Sequence, residues 1–493
     1  MVARIVISFR ADVARAVDFT RQPMHHRLSL IDWAASACAR YCPARSRALA
    51  AYTVAMLAAS LLQPVGARAQ SGVSAPDLSN VDSLAGTAIT VNPAIRAARQ
   101  QVEAARLRVG PVGLAPDPML MVGIRDFPIA KPGFYDNFTM KMVGVGQTIP
   151  YWGKLPLRRR VAERELEAAR ASLDAAMRQV ARDVRDAYYE LAFLDRALEI
   201  VERNQSVLVS FIRIAEARYG VGLAGQQDVL KARVEATRLA ETAVSLTEQR
   251  RGTLARLNAV LDRPGDTPVK GPAVPAAVAR LAVGDSAREI RFVSAALGAR
   301  VADSPLPSLS ALQEVAVRES PEIREHEAMI AAQAARVDLA RKDHLPDFDV
   351  SFEYGQRDRY ADLVSVRVAL PIPLRKQQRQ DLLVAETGAT LASLEAQHRA
   401  KQNQIRAEVA RLDAELERRR AQLALYVKAI IPQGRAALTS ATASYQVGKV
   451  EFLTLLENQA TLFSYETEYF RVLTEFASNL AELERIVGKE IGR

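Results

Sequence analysis

One uninterrupted helical segment constrains this chain more than any other feature. From Leu157 to Tyr219 the sequence contains neither glycine nor proline and is rich in Ala, Arg, Glu and Leu, which are strong helix formers. At 1.5 Å per residue such a helix is roughly 95 Å long, whereas a helix of a globular domain averages about 11–12 residues. The chain is therefore expected to build long rods rather than one compact core.

The sequence also repeats itself with a period of about 225 residues. Each copy is predicted to contain a helix, a β-hairpin and a long helical hairpin, so the chain is a tandem duplication. The equivalent motifs, first copy then second, are Asn92-Pro93 and Ser320-Pro321, Ala115-Pro116-Asp117 and Leu345-Pro346-Asp347, Ile149-Pro150 and Leu370-Pro371, and Tyr219-x-Val221-Gly222 and Tyr445-x-Val447-Gly448.

The repeat sets the expected domain boundaries. A proline-rich segment between the copies is expected to form an equatorial belt around the rods, with one short helix at Ser286–Ala299, and a kink is expected at Pro432 and Gly434. The expected domains are a leader at 1–69, repeat 1 at 70–263 (β-hairpin 118–149, helical hairpin 154–262), the inter-repeat segment at 264–308, and repeat 2 at 309–493 (β-hairpin 346–371, helical hairpin 374–488).

The leader has the features of a secretory signal. Arg45 and Arg47 precede an apolar run at about 48–62, and Ala67-Arg68-Ala69 supplies a small-residue cleavage site after Ala69. Both cysteines, Cys38 and Cys42, precede this cut. The mature chain is therefore expected to contain no disulfide, no cysteine metal site and no cysteine-linked lipid anchor.

The strands alternate apolar and polar residues. Phe348, Val350, Phe352 and Tyr354 are separated by Asp349, Ser351 and Glu353, which is the period-two pattern of a membrane barrel strand. A soluble sheet with one buried face has the same pattern. The export signal and the lack of an apolar run of about 18 residues favour the barrel. Four strands cannot close a barrel, and open edges in lipid are prohibitively costly, so several chains must close it together.

The junction motifs resemble those of a known family. Asp117-Pro118-Met119-Leu120 and the segment from Gln147 to Leu155 are similar to the TolC-type outer-membrane efflux family, and most similar to its heavy-metal-efflux branch; the resemblance covers nearly all of 80–490. It implies a mainly helical fold with transmembrane β-structure, in which a homotrimer forms a 12-stranded β-barrel continued by an α-helical coiled-coil barrel. The strand–helix junction residues are Gln147, Pro150, Gly153, Lys154 and Pro371.

The same resemblance implies a function. The protein would be a passive exit duct in contact with outer-membrane lipid and extending into the periplasm, docked to a periplasmic adaptor and an inner-membrane RND-type pump. It would export heavy-metal cations or toxic small molecules, while drug efflux and type I protein secretion stay open as alternatives within the family. A periplasmic coiled-coil scaffold without a pore is the rival from another class, and an exported enzyme is a further one.

The resemblance also assigns roles to the two helical-hairpin turns. Their glycines are expected to adopt positive φ in sharp turns. A ring of acidic side chains across the symmetry axis would favour cations, although an acid at a helix N-terminus is also stabilised by the helix dipole, which competes as an explanation for Asp228 and Glu451. The adaptor-docking tip comprises Val221, Gly222, Leu223, Ala224, Val447 and Gly448, and the aperture comprises Tyr219, Asp228, Tyr445, Glu451 and Glu457.

The sequence contains no recognisable catalytic or cofactor motif. His326, His344 and His398 are widely spaced and form no zinc motif, and no glycine-rich phosphate loop precedes a helix. We therefore expect no enzyme activity, no cofactor and no metal site, and the weak net positive charge outside the leader does not predict nucleic-acid binding. Four methionines are predicted to share a lumenal strand face: Met119, Met121, Met140 and Met142. Their thioethers suit Cu(I), but flexible packing is the ordinary role of methionine.

Overall fold

The computed structural model describes residues 80–129, 132–134, 136–269, 271–283, 290–292, 299–301, 306–489 and 491. The leader expected at 1–69 lies outside the described residues. None of the described helices is long and apolar enough to cross a membrane.

The first repeat consists of four helices and one β-hairpin. Its two longest helices form an extended antiparallel hairpin that follows directly on the strands. The elements are α1 (Val81–Val91), α2 (Pro93–Val112), β1 (Met119–Arg125), β2 (Met140–Ile149), α3 (Lys154–Gly220) and α4 (Gln226–Val260).

The second repeat has the same order of elements. A short helix and a two-stranded sheet precede it, and a π-helical turn at Tyr426–Ile430 divides its longest helix. The elements are α5 (Ala276–Val283), β3 (Ile290–Phe292), β4 (Ala299–Val301), α6 (Leu309–Glu319), α7 (Pro321–Lys342), β5 (Phe348–Gln356), β6 (Leu363–Ala369), α8 (Gln380–Leu425), α9 (Ile431–Gln446) and α10 (Phe452–Val487).

Asn92 shows why the helices break where they do. Its side-chain oxygen accepts a hydrogen bond from Ala94 N–H at 2.8 Å and Pro93 occupies the first turn of α2, a favourable helix start. The Asn92 amide also donates to the Val260 carbonyl at 2.8 Å. One residue therefore caps α2 and ties it to the end of α4.

The four long strands form one antiparallel sheet in the order β1-β2-β5-β6. One face is apolar and exposed in the single chain, with Leu120, Val145 and Val366 among its residues. The opposite face carries Arg125 and Glu353, joined by a 2.6 Å salt bridge. The pairing register places the four methionines on this second face, as alternation predicts. Within this sheet β1 and β6 are the edges, and each pairs with one neighbour only.

The core runs along the rods rather than filling a sphere. α3 packs against α2, α4, α7 and α10, and Tyr188, Leu191 and Leu194 of α3 are almost fully buried. A second apolar cluster near the helical turns joins both hairpins through residues such as Phe211 and Leu455. Each CH₂ group buried along these seams contributes about 0.8 kcal/mol. This burial stabilises helices that have no globular core of their own.

Three sequence expectations differ from the structure. The first long helix begins at Lys154 and includes Pro156, because a proline is tolerated in the first turn, where its missing N–H needs no partner. The second long helix begins at Gln380 and not at Leu374, since Pro371 and Pro373 favour extended backbone in this segment and a 3₁₀ turn at Lys376–Gln378 comes before the helix.

The interruption of the second long helix lies before Pro432 and Gly434, at Tyr426–Ile430. The π-helical turn ends at Ile430, just before Pro432, and such turns absorb a residue that cannot continue the α-helical pattern. The helix expected at Ser286–Ala299 is wrong, because Ile290–Phe292 pairs antiparallel with Ala299–Val301. Alternation of Ile290, Arg291 and Phe292 fits a strand, and the helix of this segment is α5, which packs on α8 and α10.

Candidate functional site

The turn between α3 and α4 is a Schellman motif. The Leu223 N–H donates to the Arg218 carbonyl at 2.8 Å and the Gly222 N–H donates to the Tyr219 carbonyl at 2.9 Å, the paired bonds that end a helix in this motif. Gly222 has φ +76° and open space around it. Its requirement for glycine is therefore conformational and not steric.

The turn between α9 and α10 has the same geometry. The Lys449 N–H donates to the Ser444 carbonyl at 2.9 Å, the Gly448 N–H donates to the Tyr445 carbonyl at 3.0 Å, and Gly448 has φ +76°. Gly220 is the last residue of α3, and Gly225 precedes α4 with φ −80°. Of these four glycines, Gly222 and Gly448 are therefore the two whose positive φ favours glycine.

The two turns present apolar side chains to the outside. Val221, Leu223 and Val447 are each more than two-thirds exposed, whereas Ala224 is half-buried. Nearby residues of the flanking helices, among them Ala215, Val229 and Phe452, are buried in the apolar cluster that joins the hairpins. An exposed apolar cluster on a rigid turn can dock onto another protein.

Arg218 fastens one turn to the other. Its guanidinium donates to the Tyr445 carbonyl, to the Gln446 carbonyl at 3.1 Å and to the Leu223 carbonyl at 3.2 Å, and it lies 4.8 Å from the centre of the Tyr445 ring. Arg218 is not among the residues predicted from the sequence. Its position in the last turn of a helix, where a cation can satisfy free carbonyls, was an available signal.

The two tyrosines grouped by the repeat occupy different environments. Tyr445 is buried against Phe452, with ring centres 5.2 Å apart, and its hydroxyl has no hydrogen-bond partner among the described residues. Burial raises the pKa of Tyr445, Asp228 acts in the same direction and Arg218 opposes both. Tyr219 is half exposed.

The three acidic residues of the predicted aperture lie at different positions on α4 and α10. Asp228 lies in the first turn of α4 and acts electrostatically on Tyr445. Glu451 caps α10 through its backbone only, and Glu457 is exposed on α10. In the part of the chain that the structure describes, no group of three His, Cys, Asp or Glu residues is placed to hold a metal ion. A ring of carboxylates would therefore need more than one chain.

The strand–helix junction is built around a buried lysine. Lys154 is 3% exposed, and its ammonium contacts the carboxylates of Asp347 at 2.8 Å and Asp343 at 3.2 Å. Asp347 also accepts from the Tyr151 N–H at 2.9 Å. Burial works against ionisation of Asp347, yet the bonds from Lys154 and Tyr151 hold its pKa below the usual range. Gly153, with φ +88°, lets the chain turn from strand into helix.

The other junction residues line the same region. The Gln147 amide donates to the Pro116 carbonyl at 3.0 Å, and Pro150 is buried. Pro371 borders a cleft of about 410 Å³ that Lys154 and Asp347 also line. An aromatic group of Tyr151, Trp152 and Phe348 surrounds the turn, and Trp152 is 74% exposed, as is typical of residues at a membrane surface.

The three histidines that follow the expected leader are not as scattered as their sequence positions suggest. His326 and His398 lie side by side on α7 and α8, with ring centres 6.4 Å apart. His344 is 3.3 Å from Asp381, which fits a polar loop residue. Burial, helped by the neighbouring His398 and Lys401, lowers the pKa of His326.

Comparisons with known proteins agree with this two-repeat architecture. The family described as outer membrane efflux protein matches residues 84–263 and 312–489, one match for each repeat. The chain is 24% identical over 343 residues to the cobalt-zinc-cadmium resistance protein CzcC of Cupriavidus metallidurans, with 68% of this chain and 74% of that protein covered.

Solved structures of similar fold are outer-membrane channels. The outer-membrane channel OprN superimposes with a TM-score of 0.67 at 19% identity, covering 84% of this chain and 91% of that one. CusC, whose structures are described in terms of folding and transmembrane channel formation, gives 0.67 at 15% identity, covering 83% and 92%.

Proposed function

The chain belongs to the outer membrane efflux protein family, and on that premise we propose that it is the passive exit duct of a tripartite heavy-metal efflux system. The observation that carries the proposal is the sheet of alternating strands joined directly to the long rods, one hairpin from each repeat. Its exposed apolar face suits lipid, and α3, at about 100 Å, suits a passage beyond the membrane.

We assign the assembly to a homotrimer. One chain supplies four strands with two unpaired edges, which lipid does not tolerate, and three copies give twelve strands. In this arrangement the sheet lies in the outer membrane and the helical hairpins extend into the periplasm. Lys154, with its buried pairing to Asp347, holds the rod at a fixed angle to the sheet.

The helical turns are proposed as the docking surface for a periplasmic adaptor. Val221 and Leu223 project from a rigid turn, so their replacement by serine removes apolar contact without changing backbone geometry. Adaptor capture by Val221→Ser/Leu223→Ser should fall severalfold, whereas the control Arg160→Gln, at an exposed position of α3 far from both turns, should bind as the wild type does. Unchanged capture by the double variant would contradict the docking role.

The Arg218 contacts are proposed to hold the aperture narrow. They connect the turn of repeat 1 with the turn of repeat 2, and losing them frees one hairpin from the other. Arg218→Ala should therefore raise single-channel conductance.

Glu457 is proposed to face the axis of the channel. Glu457→Ala should therefore lower cation selectivity, and an unchanged reversal potential would exclude that role.

Heavy-metal cations are the proposed cargo. Support comes from the similarity to a protein named for cobalt, zinc and cadmium resistance and from the junction motif with Gln147 and Lys154. Deleting the gene should lower tolerance to these metals in the native host, and the intact chain should restore it. Normal metal tolerance combined with sensitivity to organic toxicants would instead identify drug efflux.

A further inference from the structure

The two edge strands of the sheet have equal length, and each lacks a partner on its outer side. β1 and β6 each contain seven residues and each pairs on one side only. Unpaired backbone groups of this kind attract another strand. Because successive strands are antiparallel, β1 and β6 run in opposite directions, so β6 of one copy can pair antiparallel with β1 of a second copy while both sets of rods stay on the same side. Pairing β1 with a second β1 would turn one copy upside down.

The chain contains a template for this contact. Inside one copy, β2 of repeat 1 pairs with β5 of repeat 2, with Val145 opposite Phe352. At the end of this ladder Lys154 bonds Asp347 at 2.8 Å. The duplication makes β6 the equivalent of β2, and β1 the equivalent of β5. The contact between copies is therefore expected to repeat the contact between repeats.

The repeat motifs translate that template into residues. Pro371 is the equivalent of Pro150, so Val366 replaces Val145 and Arg375 replaces Lys154. Asp117 is the equivalent of Asp347, so Val122 replaces Phe352. Both pairs keep the chemistry of the template. Val366 and Val122 are apolar and lie on the outward face, and Arg375 and Asp117 are a cation and a carboxylate.

We propose that β6 of one copy pairs with β1 of a second copy with Val366 opposite Val122, and that Arg375 forms an ion pair with Asp117 across this contact. The inference rests on the proposed assembly and specifies its register and its charge pair. Within the described residues Asp117 and Arg375 are exposed and make no salt bridge, as expected for two halves of a pair that different copies supply.

The geometry allows a sharp test of register. Directly opposed residues have Cβ atoms about 4.5–5.5 Å apart and diagonal neighbours about 7–8 Å, whereas a disulfide needs about 3.5–4.5 Å. The register inside the two hairpins differs by two residues relative to the repeat prolines. Pairs displaced by two in either direction are therefore the informative controls.

The experiment uses the full chain with Cys38 and Cys42 replaced by serine. Val366→Cys is combined in turn with Leu120→Cys, Val122→Cys or Ile124→Cys, which share one face. Since β1 and β6 of one copy are about 14 Å apart across three strand spacings, a covalent dimer on a non-reducing gel reports contact between copies. After oxidation in detergent, Val366→Cys/Val122→Cys should give severalfold more covalent dimer and trimer, taken together, than either displaced pair.

The ion pair is tested by charge exchange. Asp117→Lys and Arg375→Asp should each lower the temperature at which the oligomer dissociates in SDS, and the double variant should recover most of the loss. An oligomer that crosslinks best at a displaced pair, or a double variant with additive losses, would overturn the proposal. A purely monomeric mass in detergent would instead reject the assembly on which it rests.

Discussion

Removing the buried lysine of the strand–helix junction provides a quantitative test of how the rod is attached to the sheet. The Lys154 side chain is 4% exposed, while those of Asp347 and Asp343 are 30% and 37% exposed. In Lys154→Met both carboxylates lose a charge-assisted partner, but they can be rehydrated. The cost is therefore about 2 kcal/mol per chain, below the range for a fully buried pair.

The reverse deletion is expected to cost more. Asp347→Ala leaves the Lys154 ammonium buried with Asp343 as its remaining carboxylate, and an incompletely paired buried charge raises the cost to about 3 kcal/mol. For a chain of this size these values lower the thermal midpoint by about 2 °C and 3 °C. The exposed control Arg160→Met should change it by less than either.

The assay is thermal unfolding of the detergent-purified protein at one fixed scan rate, since a large assembly need not unfold in a two-state manner. The order Asp347→Ala, Lys154→Met, Arg160→Met is the critical result. Equal midpoints for Lys154→Met and Arg160→Met, or a larger loss for Lys154→Met than for Asp347→Ala, would refute the reasoning.

The depressed pKa of Asp347 adds a pH dependence. A carboxyl group whose pKa is lower in the folded state contributes stability above its unfolded value, about 3.9, and this contribution disappears as pH falls through the folded pKa. The difference in thermal midpoint between wild type and Asp347→Ala should therefore be constant near neutral pH and shrink below about pH 4. A difference that persists in strong acid would show that Asp347 acts through packing alone.

Three further predictions concern the turns, the aperture and the rods. Gly222→Ala should destabilise the first turn by about 1–2 kcal/mol because its φ is positive, whereas Gly220→Ala, at the last residue of α3, should be neutral or stabilising; equal midpoints would contradict this. Because the pKa of His326 is lowered, the unfolded chain binds its proton first, so acidification below about pH 6.5 should destabilise wild type more than His326→Asn; parallel losses would argue against it. Glu457→Ala should lower the cation selectivity of the channel, so its reversal potential in an asymmetric salt gradient should move toward zero. An unchanged reversal potential would exclude an axial position for Glu457.

The periodic features of this fold are readable from sequence because they depend on local chemistry. β2 alternates its side chains between two faces over Met140–Ile149, and α4 begins at Gln226, directly after Gly225. The positive φ at Gly222 and Gly448 also follows from the turn itself. Local constraint of this kind needs no knowledge of the rest of the chain.

Features that depend on distant partners were harder to anticipate. The helix start at Lys154 is stabilised by Asp347, which lies in the other repeat, and Arg218 gains its role from carbonyls of the second turn. The proximity of His326 and His398 likewise depends on how α7 and α8 pack. Sequence spacing does not contain these contacts, so only the fold could supply them.

The central claim, that this chain is a passive channel, is tested most directly by conductance in a planar lipid bilayer. Purified oligomer of verified mass should insert and give discrete current steps, and Arg218→Ala should give larger steps than wild type because its two turns are no longer fastened together. Oligomers of both forms that insert without conducting would contradict the account and favour a scaffold without a pore.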